Sequence, residues 1–245
     1  MLGAYFDAIV VVAAFAAGAI ASVSGFGIGS ILTPIMVLMI DARIAVAAVA
    51  IPHLVGTAAR LVLLRVWPAW SVVWSFGLAS AAGALMGAAF QPLIGSQTLA
   101  LVLGVVLVFV AISELSGLMR RQRFEGVAAA GAGVLSGLLG GLVGNQGGIR
   151  SAALLGFNLE KEVFVATATF IALMIDTVRL PIYLGYYPQQ LSAMRSLIIM
   201  ASGAVLLGTF AGNRLLREIP ESLFRSIVAL ILALLGASMI ARGLG

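Results

Sequence analysis

The sequence predicts an all-α protein that crosses the membrane many times, and three observations lead to this prediction. Of the 245 residues, 62% are hydrophobic and 9% are charged, whereas a soluble domain carries about 25% charged residues. Apolar runs long enough to span a bilayer recur along the whole chain. The chain also divides into two similar halves, each opening with a long apolar segment that glycines interrupt. The predicted fold class is therefore an all-α polytopic membrane protein made of two inverted repeats.

Eight hydrophobic segments follow one another along the chain. They cover residues 8–40, 42–66, 70–92, 97–118, 124–157, 161–184, 190–215 and 221–242. A spanning helix needs about 20 apolar residues, so the first and fifth segments are too long for one crossing. The N-terminus, MLGAYFDAIV, lacks the basic region of a signal peptide. We therefore expect the first segment to remain in the protein as an uncleaved span.

A glycine-rich turn interrupts each of the two long segments: SGFGIGS at 24–30 and GNQGG at 144–148. Because a glycine destabilises a helix interior by about 1 kcal/mol relative to alanine, such clusters indicate broken helices. The pieces that follow, 28–40 and 147–157, are about 15–20 Å long at 1.5 Å per residue, which is half a membrane. The alternative is close helix packing, and we interpret the Gly83 and Gly87 pair in that way.

The two halves align without gaps when the sequence is shifted by 119 positions. Glycines and a rare intramembrane arginine fall in one register: Gly18 on Gly137, Gly25 on Gly144, Gly29 on Gly148, and Arg60 on Arg179. Random apolar sequences align leucines and alanines easily, but they do not align these residues. The sequence predicts one repeat over residues 1–119 and another over 120–245, with the basic loop MRRQRFEG between them.

The positive residues favour an inverted arrangement of the repeats. If each long segment crossed once, the basic residues would divide about evenly between the two sides. If each turns back at its glycines, one side receives Arg65, Arg120, Arg121, Arg123, Lys161, Arg214 and Arg217, and the other receives Arg43, Arg195 and Arg242. Short cytoplasmic loops carry an excess of positive residues. We therefore expect inverted repeats with a cytoplasmic central loop and both termini outside.

The broken helices predict a site for a small anion. In transporters with inverted repeats, broken helices expose backbone groups near the membrane midplane, where substrate binds. Helix N-termini rich in free N–H groups attract anions. The predicted substrate-binding residues of the two turns are Ser24, Gly25, Phe26, Gly27, Gly29 and Ser30, and Gly144, Asn145, Gln146, Gly147 and Gly148.

Arg150 lies on the first turn of the second half-helix, where the other repeat has Ile31. A cation beside a helix N-terminus is unfavourable unless an anion lies between them. We therefore expect Arg150 to contact the substrate. The alternative is that its side chain reaches back to the basic cytoplasmic interface.

Two further groups of polar residues each share one helix face by their spacing: His53, Thr57 and Arg60, and Thr169, Asp176 and Arg179. Ionisable residues inside spans are costly and indicate a functional site, so all six are predicted to bind substrate, with His53 or Asp176 coupling protons. Simpler interpretations remain for each residue. Arg60 could extend to the interface, Asp176 and Arg179 could form an i,i+3 ion pair, and His53 could be a buried core residue.

The composition also limits cofactors and partners. The absence of cysteine excludes disulfides and thiolate metal sites, and a single histidine argues against a zinc centre; we expect no metal and no cofactor. No basic stripe with interleaved aromatic residues indicates nucleic acid. The expected partners are the lipid bilayer, a small anion and protons, and a homodimer is left open. The expected location is the inner (plasma) membrane, as a multi-pass protein.

The stretches AGAIASVSGFGIGSILTPIMVL and GVLSGLLGGLVGNQGGIRSAALL resemble the paired signatures of the TauE/SafE sulfite exporter family, also called TSUP. The resemblance implies a secondary transporter for small, often sulfur-containing anions such as sulfite, sulfoacetate, other organosulfonates or thiosulfate. The half-helix proline often present in the family is kept as Pro34, whereas Ala153 stands at its counterpart. The resemblance leaves export and import open.

Two other functions compete with a transporter that works by alternating access. A passive anion channel would use the same helix termini. An intramembrane hydrolase could pair Ser24 with His53 as a serine–histidine dyad. Against the hydrolase, the second glycine cluster has Val143 where the first has Ser24, and a hydrolase needs no second copy without a nucleophile.

Overall fold

A computed structural model describes residues 2–117, 126–215 and 220–245, and within these residues every regular element is a helix. Eight of the described helices are long and apolar enough to cross a membrane. This confirms the prediction of an all-α polytopic membrane protein.

The described part of the first half contains six α-helices, which are α1 (Leu2–Ser24), α2 (Ile28–Val37), α3 (Ala42–Leu64), α4 (Trp70–Val72), α5 (Leu78–Phe90) and α6 (Ser96–Ser116). A π-helical turn over Val73–Gly77 joins α4 to α5, and one 3-10 turn follows at Gln91–Leu93, so that these pieces form one span. The described part of the second half contains α7 (Gly126–Val143), α8 (Gly147–Leu155), α9 (Lys161–Tyr186), α10 (Pro188–Ala193), α11 (Arg195–Leu215) and α12 (Glu221–Leu244).

Both predicted broken helices are present. The chain leaves α1 through Gly25 and Gly27, whose φ angles are 80° and 135°, and it leaves α7 through Gly144 at 72°. These angles lie in the region that glycine adopts without steric cost, which is why the breaks occur at these residues. The half-helices α2 and α8 have 10 and 9 residues, and at 1.5 Å per residue each is roughly half as long as a membrane is thick.

The central helices α3 and α9 each start after an acidic residue. Asp41 precedes α3 and accepts a hydrogen bond from the backbone N–H of Arg43 at 2.9 Å, whereas Glu160, at the corresponding place before α9, forms no side-chain cap hydrogen bond. A carboxylate at the N-cap satisfies a backbone donor that the helix leaves unpaired. The Arg43 side chain also binds Asp41 and holds the pKa of its carboxyl below the usual value. The start of α3 is thus fixed by the side chain of Asp41.

Three helix pairs pack closely through glycines: α1 with α11, α5 with α7, and α6 with α12. A Cβ atom added to Gly83 or Gly87 of α5 would collide with a backbone carbonyl of α7, at Val134 or Leu138. This confirms the packing interpretation of that pair. Small residues allow membrane helices to approach each other when no hydrophobic effect drives their association.

Gly137 provides a test of this close packing. Its added Cβ would overlap Ser80 of α5, whereas the space beside Gly131 on the same helix is open. Both Gly→Ala changes favour the helix by about 1 kcal/mol, but Gly137→Ala also forces α5 and α7 apart at a cost of about 1–3 kcal/mol. We expect a lower Tm in detergent for Gly137→Ala and an unchanged or higher Tm for Gly131→Ala. An equal rise in both would contradict the packing role of Gly137.

The contacts between the halves come in matched pairs. The first helix of each half packs against the third span of the other, as α1 does with α11 and α7 with α5, while α3 packs against α9 and α6 against α12. This is the pattern expected of two related repeats. The opposite orientation of the repeats and their boundaries at 1–119 and 120–245 stay predictions. Several residues on which they depend, Met1, Arg120, Arg121, Arg123 and Arg217, lie outside the described residues.

Candidate anion-binding site

A small polar cavity lies where the two glycine-rich turns meet α3. Its walls are formed by Ala21, Gly25, Phe26, Gly27, Ile28, Gly29, Ser30, His53, Thr57, Arg60, Gly144, Gln146, Gly147 and Arg150. The space open to the centre of a water molecule is about 10 Å³, close to the minimum for one ordered water. An oxyanion with three or four oxygens therefore requires the walls to move apart.

The two turns touch each other across this cavity. Ser30 Oγ of the first half donates a hydrogen bond to Asn145 Oδ1 of the second at 3.2 Å. A Cβ added to Gly29 would collide with the carbonyl oxygen of Gly144, and one added to Gly147 would collide with the side chain of Phe26. Glycines at these places therefore let one turn approach the other, a role that the sequence analysis did not predict.

Arg150 of α8 has 2% of its surface exposed, and its Nε and Nη1 atoms have no partner within the protein. It therefore does not reach the surface of the protein. A buried guanidinium without partners is costly, so its retention at the cavity points to a ligand that is negatively charged. The same region holds other buried donors without partners: Asn145 Nδ2, Gln146 Nε2 and Thr33 Oγ1.

Thr33 is a buried polar residue beside the turns that the sequence does not indicate. Its hydroxyl is fully buried on α2, and a Cβ added to Gly144 would lie 3.2 Å from it. A threonine within an apolar helix usually returns its hydroxyl to the preceding turn, so its type and position alone gave no signal.

Asp176 joins the halves by an ion-pair network behind the cavity. His53 Nδ1 lies 2.5 Å from Asp176 Oδ2, and Arg179 donates to Oδ1 through Nε at 3.0 Å and Nη2 at 2.8 Å. Thr57 Oγ1 lies 3.5 Å from the same histidine nitrogen. The i,i+3 ion pair considered from the sequence is thus present, and its carboxylate is shared with a histidine from the other half.

The two repeat-related arginines bind the ends of the two broken helices. Arg60 Nη1 donates to the carbonyl of Ala21 at 2.7 Å, and Arg179 Nη1 donates to the carbonyl of Gly140 at 2.5 Å. These carbonyls belong to the last turns of α1 and α7, where a positive charge is favourable. Arg60 also donates from Nε to Thr169 Oγ1 at 3.0 Å. It is 5% exposed and does not extend to the interface.

Most of the predicted site residues line the cavity, and the others support it. Asn145 binds Ser30, Thr169 binds Arg60, and Asp176 and Arg179 form the network behind His53, while Gly148 faces Val110 of α6. Ser24 Oγ lies against the carbonyl oxygens of Ile20 and Phe26 in its own turn. It forms no hydrogen bond with His53, so the serine–histidine dyad is not assembled.

The comparisons with known proteins agree with this architecture. The model of one family, Sulfite exporter TauE/SafE, matches residues 10–239, which include both broken helices and all the residues of the cavity. No curated protein and no solved structure matches the chain. Since the match covers nearly the whole chain, the protein belongs to the TauE/SafE sulfite exporter family, a family of membrane transporters rather than enzymes.

Proposed function

We propose that this transporter carries small sulfur-containing oxyanions, such as sulfite, thiosulfate, sulfoacetate or other organosulfonates, and that they bind between the two broken helices. The buried, unpaired guanidinium of Arg150 carries the proposal. A planar guanidinium matches the oxygen pairs of an oxyanion in a way that few other side chains do. The first N–H groups of α2 and α8 have no partners within their helices, which adds donors on both sides of the cavity.

The lining favours oxyanions over cations and zwitterions. Arg60, Arg150 and the amide of Gln146 face the cavity, and none of its lining residues is an aspartate or glutamate. Asp176, which lies behind His53, already accepts hydrogen bonds from two side chains. A ligand with a positive group would meet no free carboxylate in this cavity.

Alternating access fits the way in which the turns are held. The turns meet through one side-chain hydrogen bond, Ser30 to Asn145, and through close contacts at glycines. Each first helix is instead packed tightly against a span of the other half, α1 on α11 and α7 on α5. We propose that these tight pairs move as units and that the contact between the turns opens to admit the anion.

Counterflow in proteoliposomes tests the transport function. Vesicles loaded with unlabelled thiosulfate should accumulate labelled thiosulfate transiently, and the rate should saturate with concentration. An alternating-access transporter exchanges its substrate in this way, whereas a channel only dissipates the gradient. With the membrane potential clamped, entry of label only up to its outside concentration, without transient accumulation, would favour the passive channel.

Proton coupling is the second part of the proposal, and His53 is the residue to change. Its ring lies between the cavity and Asp176. The charge of a proton on this ring would therefore interact with the anion and with the ion-pair network. His53→Gln should leave anion binding measurable and should remove the effect of a pH gradient on uptake. Asp176→Asn is the less direct test because Asp176 also holds Arg179. Unchanged dependence on the pH gradient in His53→Gln would assign His53 a structural role.

A further inference from the structure

The buried interior of this protein carries more positive than negative charge. Among the residues that the structure describes, the buried arginines are Arg60, Arg150 and Arg179, and the one buried carboxylate is Asp176. Asp176 binds Arg179 through two nitrogens. With His53 neutral, two positive charges remain without a carboxylate in contact, and charges removed from water are stable only when they are neutralised.

The two unneutralised charges belong to residues that face the same cavity. Arg60 and Arg150 both line it, one from each half. The hydrogen-bond partners of Arg60 are neutral, a threonine hydroxyl and a backbone carbonyl, and Arg150 has unpaired nitrogens. We infer that the cavity selects small oxyanions that carry two negative charges over those of the same shape that carry one. This inference rests on the proposed function and names the charge class of its substrate.

A difference between the repeats explains why the second charge is left over. Asp176 precedes Arg179 by three residues, and at the corresponding place before Arg60 the first repeat has Thr57. Thr57 is fully buried and lines the cavity. A threonine binds no cation by charge, so Arg60 keeps its positive charge available to a ligand. A carboxylate thus neutralises Arg179, whereas its counterpart in the first repeat, Arg60, has none.

Thiosulfate and methanesulfonate have similar shapes but different charges, so they test the charge preference of the site. Both have a sulfur with three oxygens and a fourth substituent, and the first carries two negative charges while the second carries one. The purified protein should bind thiosulfate at least about tenfold more tightly than methanesulfonate, because one further unit charge of the anion interacts with a partly buried site. Equal affinities would overturn the inference but not the proposed function. Binding of neither anion would contradict the proposed function itself.

Thr57→Asp tests the residue that sets the preference. It places a carboxylate three residues before Arg60, as Asp176 stands before Arg179, and it should reduce the ratio of thiosulfate to methanesulfonate affinity by at least about tenfold. The matched control is Thr57→Asn, which adds no charge and should keep the ratio whatever its effect on either affinity. If Thr57→Asp does not fold, Arg60→Gln removes the same charge, and the same fall is expected. An unchanged ratio in the folded variant would overturn the inference.

Discussion

Replacing Arg150 by glutamine should weaken the binding of thiosulfate by about 1.5–3 kcal/mol, the usual contribution of a hydrogen bond to a charged group, and should not destabilise the protein. The reason is that Nε and Nη1 of Arg150 have no partner among the protein's own atoms. Removing a buried charge that nothing in the protein neutralises relieves a cost. Calorimetric titration should therefore show weaker binding of thiosulfate, while thermal unfolding in detergent should show an equal or higher Tm.

The conservative variant Arg150→Lys separates the contribution of charge from that of guanidinium geometry. Arg150→Lys keeps the charge and loses the planar fork of the guanidinium, so it should recover only part of the affinity. Full recovery would mean that charge alone is recognised. If Arg150→Gln binds thiosulfate as tightly as the natural protein, the anion site lies elsewhere. A large fall in Tm would instead show that Arg150 holds the fold together.

Replacing either residue of the buried pair Asp176 and Arg179 should, in contrast to Arg150, mainly lower the stability of the protein. Asp176→Leu leaves Arg179 buried without its carboxylate, and breaking such a pair costs about 3–5 kcal/mol. Arg179→Leu leaves Asp176 with His53 alone and frees the carbonyl of Gly140, so a similar loss is expected. Chemical unfolding in detergent measures both.

The double variant distinguishes a charge pair from two independent contacts. When both residues become leucine, no charge is left unpaired, and replacing a buried ion pair by apolar residues is often nearly neutral. The double variant should thus be more stable than the sum of the single losses predicts. It should stay about 1 kcal/mol below the natural protein, because the Gly140 carbonyl loses its hydrogen bond. Simple additivity of the two losses would show that the pair does not act as a unit.

The sequence was sufficient to predict where the helices break, and it singled out Arg150, whose Nε and Nη1 atoms are unpaired in the structure. Local chemistry determines both: Gly25 and Gly144 take backbone angles that other residues avoid, and a cation on the first turn of a helix is unfavourable by itself. The half-helices begin at Ile28 and Gly147 as predicted and end earlier, at Val37 and Leu155. Helix ends depend on capping contacts, which the sequence locates less well than glycine breaks.

The contacts between the two halves could not be predicted from the sequence. Spacing placed His53 and Asp176 on helix faces but could not show that these faces meet, although the two residues are 123 positions apart and in direct contact. Arg179 was predicted to neutralise the anion, and the structure places it on Asp176 and on the end of α7 instead. The glycines of the turns were likewise predicted to bind substrate, and at Gly29 and Gly147 the structure shows that the nearest neighbour is the other turn.

The excess of buried positive charge also has an electrical consequence. If the site changes sides by the proposed alternating access, the empty site, with its two uncompensated arginines Arg60 and Arg150, moves charge relative to the membrane field, and the same site is neutral when a dianion fills it. Moving two elementary charges through a full 100 mV potential corresponds to about 4.6 kcal/mol. The membrane potential of a cell, negative inside, would then draw the empty site toward the cytoplasm and leave the loaded site unaffected. Voltage would act on the return step of the transport cycle and not on the step that carries the anion.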